Sequence, residues 1–250
     1  MVKSKEIPQN NGRINRVKRL LFKFHTEYKG YPLYVSANAL RHALGMKLNC
    51  SIGMFTNASR LYYPNSYTEF FRPRTEHIFL KPFSHTFFSK YENQRKIIYF
   101  YRPFAITFDI LNYPDDVIDY IRQKPLLQIG SGRSKGYGSI SLHDWVEIDL
   151  KDVELPSKAT HLVLLSPLLK IPNFVEKYNC RYNYEIIWNN GKKNKLKIVP
   201  PGQFFRLKKG KNLQKIALKG ILRKTLFGGF GFGEFQLYDW SKENNERKNN

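Results

Sequence analysis

Gly130-Ser131-Gly132-Arg133-Ser134-Lys135-Gly136-Tyr137-Gly138 is the most informative stretch of this sequence, because it sets four glycines among two serines and two cationic side chains. Glycine lets the main chain approach another molecule closely, and the neighbouring side chains supply hydrogen-bond donors. This composition is typical of phosphate binding. The alternating residues that follow, Ser139–Leu150, predict a strand, so a nucleotide site at a helix N-terminus is disfavoured. A plain turn, in which glycine only permits the backbone geometry, is the alternative.

The segments around this loop follow a β-α-β-β-α-β order. Strands are predicted at Arg16–Phe24, Cys50–Phe55, Leu126–Ile129 and Ser139–Leu150, helices at Val35–Leu48 (capped by Ser36) and Pro114–Arg122, and a buried strand or bent hairpin at Ile97–Leu111. The stretch Thr56–Asn93 is aromatic and shows no clear period, which predicts an insertion. The order is the split βαβ arrangement of the ferredoxin-like fold. It predicts a first lobe over residues 1–150 with an insertion at 56–93.

Behind the polar connector Lys151–Lys158 the strand pattern begins again. Candidate strands lie at His161–Leu169, Tyr184–Trp188, Leu196–Val199, Gln203–Leu207 and Glu234–Trp240, with a strand followed by a helix within Leu213–Phe227. A second glycine cluster, Gly228–Gly233, precedes the last strand, as in the first half. The sequence therefore predicts an α+β protein of two ferredoxin-like (RRM-like) lobes, residues 1–150 and 151–240, with a glycine-rich loop before the last strand of each. The charged tail 241–250 is predicted to be disordered.

The charge balance indicates a polyanionic partner. Lys and Arg total 42 against 20 Asp and Glu, a net charge of +22. This excess repels itself in the folded state unless it meets a polyanion, and aromatic residues, 15% of the chain, can stack on bases. RNA is therefore the favoured ligand of the glycine-rich loop. A ribosome- or tRNA-associated RNA binder is a further alternative that rests on charge and aromatic content alone.

Several other classes of protein are disfavoured. No stretch approaches the roughly 18 apolar residues of a spanning helix, and Met1–Asn11 lacks the apolar centre of a secretion signal, so a cytoplasmic protein with no membrane partner is expected. Cys50 and Cys180 have no companions at metal-ligand spacing. Four aspartates are predicted to be strand-end or helix-start carboxylates rather than a two-metal nuclease centre: Asp109, Asp115, Asp116 and Asp119. No metal site and no cofactor is indicated.

Gly130–Gly138 resembles the glycine-rich loop of the RAMP superfamily, the ferredoxin-like proteins that process or hold CRISPR RNA. Three further regions fit that superfamily in order. Pro32–Leu44 is similar to its short loop and first helix, Leu162–Leu169 to the opening of a second lobe, and Pro201–Phe205 with Gly231–Gly233 to the close of that lobe. Within the superfamily, the chain most resembles the two-lobed subunits that cap the 5′ end of the guide RNA in type I-D or type III effector complexes.

The resemblance implies an RNA-binding subunit of a CRISPR effector complex that acts in antiviral defence and holds the repeat-derived 5′ end of the guide RNA. Its implied partners are the guide RNA and the backbone and large subunits, with target DNA or RNA as a further candidate. The candidate RNA contacts are Gly130, Gly132, Arg133, Ser134, Lys135, Gly136, Gly138, Arg41, His42, Arg223 and Lys224.

The alternative within the same superfamily is a metal-independent endoribonuclease that cleaves CRISPR repeat RNA. Such an enzyme needs a general acid or base and a group that stabilises charge on the phosphate. His42 on the first helix, with Tyr31 before it and Lys47 after it, is a candidate set. The processing enzymes carry their signature glycine loop close to the C-terminus, whereas the fuller motif here is Gly130–Gly138. A contact role for His42 without catalysis is therefore favoured.

Overall fold

The computed structural model describes residues 16–46, 48–89, 94–111, 113–176, 179–189, 192–223 and 231–240. It is a mixed α/β structure with antiparallel sheets. The chain divides into two compact units. The first unit comprises the described residues of Met1–Tyr63 and Arg72–Leu150, and the second those of Pro64–Phe71 and Lys151–Asn250. No helix among the described residues is long and apolar enough to cross a membrane.

The first unit is built on one antiparallel sheet. Its strands are β1 (Arg16–Phe24), β2 (Asn49–Cys50), β3 (Met54–Thr56), β6 (Ala105–Leu111), β7 (Leu127–Gln128) and β8 (Ser139–Asp149). They run in the order β2-β6-β1-β8-β7, with β3 also beside β6. The two helices that lie wholly within this unit are α1 (Ala37–Leu44) and α3 (Val117–Arg122). This order of strands and helices is compatible with the predicted ferredoxin-like fold.

One face of the sheet packs against α1 and α3. Phe22 of β1 stacks on Phe108 of β6 with ring centroids 5.5 Å apart, and both belong to a core that includes Leu40 of α1 and Ile121 of α3. The helix α1 is shorter than predicted because Gly45 adopts a left-handed conformation with φ of 70° and ends it. The predicted cap is confirmed, since Ser36 Oγ accepts a hydrogen bond from the Ala39 amide at 3.3 Å.

A buried ionic cluster lies within this unit. Arg19 of β1 binds Asp109 of β6 through two hydrogen bonds of 2.7 and 3.0 Å, and Arg74 Nη2 lies 2.9 Å from Asp109 Oδ2. Arg74 also donates to Ser51 Oγ at 2.9 Å, and this oxygen accepts from the Asp109 amide at 2.9 Å. Asp109 therefore lies within a strand, fully buried, and the prediction that it is a strand-end carboxylate is wrong.

The stretch predicted as an aromatic insertion, Thr56–Asn93, contains a helix and a strand. Helix α2 (Tyr67–Thr75) begins in the second unit and ends in the first. Strand β4 (Phe83–Ser89) pairs with β5 (Gln94–Phe100) in a separate two-stranded sheet. The run predicted as one strand or bent hairpin is two strands that do not pair with each other. Pro103, which has no amide hydrogen to donate, lies in the break between β5 and β6.

The second unit has a smaller sheet and a hairpin. Its elements are β9 (His161–Leu164), β10 (Asn183–Asn189), β11 (Lys192–Ile198), β12 (Phe204–Arg206), α4 (Leu213–Leu222) and β13 (Phe235–Tyr238). The sheet order is β12-β9-β13, and β10 pairs with β11. Asn212 caps α4 by accepting from the Lys215 amide at 2.8 Å, so the predicted strand at the start of this segment is wrong. The second glycine cluster lies outside the described residues except for Gly231–Gly233, as does the tail from 241.

The ionic cluster predicts a large effect of removing its carboxylate. Asp109→Asn should lower the free energy of unfolding by about 3–5 kcal/mol, because Arg19 and Arg74 would remain buried without their anion. Urea denaturation followed by circular dichroism measures the loss. The matched control is Asp115→Asn, at an exposed turn, which should change stability by no more than about 0.5 kcal/mol. Equal stability of the two variants would contradict the role given to Asp109.

Candidate nucleic-acid interface

The loop from Gly130 to Gly138 has a defined backbone conformation. Arg133–Lys135 form one 3-10 turn, in which the Lys135 amide donates to the Gly132 carbonyl oxygen at 2.9 Å. All four glycines of the loop have a positive φ, between 69° at Gly138 and 84° at Gly136. Residues with a Cβ rarely adopt this conformation, so the glycine spacing specifies the path of the loop.

The base of the loop is fixed to the segment that follows β1. The Gly138 amide donates to the Glu27 carbonyl oxygen at 2.7 Å, and the Ser131 amide donates to that of Lys29 at 2.7 Å. Thr26 Oγ1 donates to the Gly136 carbonyl oxygen at 2.8 Å. It also accepts from the Ser139 amide at 2.9 Å. The loop is therefore held by main-chain hydrogen bonds at both ends.

The tip of the loop presents its polar side chains to solvent. Arg133, Ser134 and Lys135 are all exposed, and none of them forms a side-chain hydrogen bond or ion pair with another described residue. Their donors are free to meet a ligand. Exposed cations on a fixed backbone suit an anionic partner, since little backbone entropy is lost when the ligand binds.

Next to the loop lies an open cleft of about 740 Å³. It is lined by His42 and Ala43 of α1, by residues 123–128, and by Arg133 and Ser139. The structure thus brings together two predicted site residues, His42 and Arg133, that are far apart in sequence. Lys124 Nζ donates to the Leu44 carbonyl oxygen at 2.7 Å and holds this wall against the end of α1. Sequence reasoning missed Lys124 and its neighbours because no motif marks them.

Of the other two residues in the predicted catalytic set, the structure describes Tyr31, which is not among the residues that line this cleft. Tyr31 is 52% exposed and packs edge-on against Tyr34, with ring centroids 5.0 Å apart. Arg41, which was predicted as an RNA contact and not as part of this set, is half-buried on α1. Lys47 lies outside the described residues. The set His42, Tyr31 and Lys47 therefore remains a prediction.

The second group of predicted contacts lies in the second unit. Arg223 is only 2% exposed and its Nη1 lies 3.5 Å from Glu234 Oε1, which is also buried. Its backbone adopts a positive φ of 45°, which directs it away from the helical path at the end of α4. Arg223 stays a prediction as an RNA contact, with its side chain buried beside Glu234 in the structure. Lys224 lies outside the described residues.

No protein-family model matches the sequence, and no curated protein matches it either. Among solved structures, the chain is similar to the Csm3-Csm4 subcomplex of the type III-A CRISPR-Cas interference complex, with a TM-score of 0.41 and 10% identity over 77% of this chain and 92% of that chain. It is also similar to the CRISPR associated protein Cas6, with a TM-score of 0.46 and 10% identity over 90% of this chain and 99% of that chain. A third similar structure is the type III-B Cmr-beta complex bound to cognate target RNA and AMPPnP, with a TM-score of 0.43 and 11% identity over 75% of this chain and 86% of that chain. All three are CRISPR proteins.

Two loop glycines should respond differently to alanine. A Cβ at Gly138 would collide with the main chain of Ile129, whereas a Cβ at Gly136 would meet nothing within 4 Å. Gly136→Ala should therefore cost only the strain of its positive φ, about 1–2 kcal/mol, and Gly138→Ala should cost more. Thermal melting of both variants checks this order. Equal losses would show that the packing of Gly138 against Ile129 does not contribute.

Proposed function

We propose that this chain is the RNA-binding subunit of a CRISPR guide-RNA complex that holds the repeat-derived 5′ end of the guide RNA and contacts the neighbouring backbone and large subunits. The observation that supports it best is the glycine-rich loop, which presents Arg133, Ser134 and Lys135 on a backbone fixed at both ends. The net charge of +22 supports a polyanionic ligand. The loop also belongs to the ordered set of segments that resemble the RAMP superfamily.

The proposal includes two ferredoxin-like lobes. In the second unit, β9 corresponds to the first strand of such a lobe, and β12, α4 and β13 correspond to its third strand, second helix and fourth strand. The sheet order also agrees, since β9 lies between β12 and β13. The described residues between β9 and β12 form the β10–β11 hairpin where a complete lobe has its first helix and second strand. The second lobe is therefore proposed to be a reduced version of the first.

The cleft beside the loop gives the RNA end a place to bind. Arg133 and Ser134 at the loop tip can bind backbone phosphates, while His42 and Gln128 of the cleft offer hydrogen-bonding groups to a base or sugar. Binding of phosphates does not depend on the RNA sequence, whereas hydrogen bonds to a base can select a particular sequence. A subunit that holds the end of a repeat-derived RNA needs both.

Replacing both loop cations should weaken RNA binding without unfolding the protein. Arg133→Ala/Lys135→Ala should lose about 1.5–3 kcal/mol of binding free energy per charge-assisted contact. The salt slope of the binding constant should fall by about 0.7 for each lost phosphate contact. Fluorescence anisotropy with labelled repeat RNA, at several salt concentrations, measures both quantities.

The control for that experiment is Lys158→Ala/Lys170→Ala, which removes the same charge from exposed positions outside the loop. This control variant should bind repeat RNA more tightly than the loop variant does at the same salt concentration. Thermal melting of each variant shows whether the fold is intact. If the loop variant binds repeat RNA and assembles with partner subunits as the parent does, the loop is structural and the proposed site is wrong.

A second candidate function is a metal-independent endoribonuclease that cleaves the repeat. His42 lies exposed in the cleft that Arg133 also lines. An imidazole can act as general acid or base near neutral pH, and a guanidinium can stabilise charge that develops on the phosphate. The position of His42 and Arg133 in one cleft is the observation that favours the enzyme hypothesis.

Cleavage in excess chelator distinguishes the two functions. If the chain is the enzyme, labelled repeat RNA should be cut without metal, and His42→Ala should reduce the rate by about 10²–10⁴-fold while RNA binding persists. A non-catalytic subunit leaves the RNA intact with either protein. His143→Ala, at an exposed histidine outside the cleft, is the matched control.

A further inference from the structure

The hairpin β10–β11 has one packed face and one open face. Side chains alternate between the faces along a strand, and in β10 Ile187 is 6% exposed while Tyr184 and Ile186 are 57% and 51% exposed. In β11, Ile198 is buried. Three lysines of β11 lie on the face opposite to that of Ile198 and are exposed: Lys193, Lys195 and Lys197. Tyr184 is paired with Lys197 and Ile186 with Lys195, so tyrosine and lysine share the open face.

A lysine ammonium group lies over each of two tyrosine rings at this hairpin. Lys195 Nζ lies 4.3 Å from the ring centroid of Tyr184, and Lys197 Nζ lies 4.2 Å from that of Tyr182. A ring has two faces, and a lysine covers one of them. Tyr182 and Tyr184 are still 52% and 57% exposed, so ring surface remains available beside the cations.

The open face carries no carboxylate among the described residues of β10 and β11. Glu185 is the one acidic residue in these strands, and it lies opposite Leu196 with the side chains of the packed face. Burial raises the pKa of Glu185 to about 7, which further reduces the negative charge that the hairpin carries. Among the described residues of the two strands, the charged side chains of the open face are therefore all basic.

The start of the hairpin is fixed in place. Gln203 Nε2 donates to the Arg181 carbonyl oxygen at 3.0 Å, and Gln203 Oε1 accepts from the Arg181 amide at 3.2 Å. Asn183 Oδ1 accepts from the Tyr184 amide at 2.8 Å. Tyr182 lies between Arg181 and Asn183, and Asn183 pairs with Ile198 in the β10–β11 ladder. The backbone that carries both rings is therefore ordered before any ligand binds, which lowers the entropy cost of stacking.

We propose that this open face, defined by Tyr182, Tyr184, Lys195 and Lys197, is a second RNA-contact surface that binds single-stranded RNA. Bases stack on the tyrosine rings, and the lysines bind the phosphates between them. The inference rests on the proposed function in that the chain binds RNA, but it assigns a separate surface in the second unit. An acidic protein surface could match the charge, but it would not use exposed aromatic rings that can each accept a flat base.

The test uses the full-length protein and labelled oligouridine of about 12 nucleotides, a length that such surfaces span. Tyr182→Leu/Tyr184→Leu removes the rings and keeps apolar volume, and Tyr182→Phe/Tyr184→Phe keeps the rings and removes the hydroxyls. Lys195→Gln/Lys197→Gln removes the charge. The control is Tyr62→Leu, at a 70% exposed tyrosine of the first unit. Thermal melting of each variant shows that the fold is retained.

If bases stack on the tyrosine rings, the three double variants should differ in their affinity for oligouridine in a specific way. The leucine pair should weaken binding by about fivefold or more, and the phenylalanine pair should remain within about twofold of the parent. The glutamine pair should lower the salt slope by about 1.4, the value for two phosphate contacts at about 0.7 each. Binding of the leucine pair within about twofold of the Tyr62→Leu control would overturn the inference.

The same series separates this inference from the proposed function. If Arg133→Ala/Lys135→Ala binds repeat RNA as the parent does while the hairpin variants bind oligouridine weakly, the loop site fails and the hairpin surface stands. If the loop variant binds repeat RNA weakly while every hairpin variant binds oligouridine as the parent does, the hairpin inference fails and the loop site stands.

Discussion

The first unit depends on a buried negative charge. Asp109 lies in the middle of β6 and binds Arg19 of β1 and Arg74 at the end of α2, with Ser51 completing the cluster. Buried ions are costly unless each is paired, so these residues cannot shift independently. The cluster therefore fixes β1 against β6. Because β1 continues directly into the residues that hold the glycine-rich loop, the position of the loop follows from the position of β1.

The loop illustrates how a flexible composition can produce a fixed structure. Glycines lose more conformational entropy on folding than other residues, so a loop with four of them would be mobile if nothing held it. Hydrogen bonds to Thr26, Glu27 and Lys29 anchor its main chain. The glycines are then needed for their positive φ angles and, at Gly138, for close approach to Ile129. Binding and structural explanations of the loop are thus compatible, because a fixed backbone is what presents Arg133 and Lys135.

The sequence predicted those elements whose signals are local. Strand β1 has the predicted bounds, and α1 has the predicted cap, because periodicity and capping act within a few residues. The helix α2 was missed although Tyr67, Phe70 and Phe71 have helical spacing, since Pro73 and the charged residues around it suggest a loop. The burial of Arg223 was not predictable either. It depends on Glu234, which is adjacent only after the chain folds. The same limit applies to the cleft, where His42 meets Arg133.

Affinity and selectivity have different sources on the two proposed surfaces. Phosphate contacts at the loop and stacking on Tyr182 and Tyr184 act on any RNA sequence, because every nucleotide has a phosphate and every base has a flat face. Discrimination requires hydrogen bonds to the edges of bases. In the first unit, the cleft supplies such groups in His42 and Gln128 beside the loop. Under the proposed function, the repeat-derived end would therefore be selected at the cleft while the loop binds its phosphates, and the open face of the hairpin would hold other nucleotides without regard to sequence.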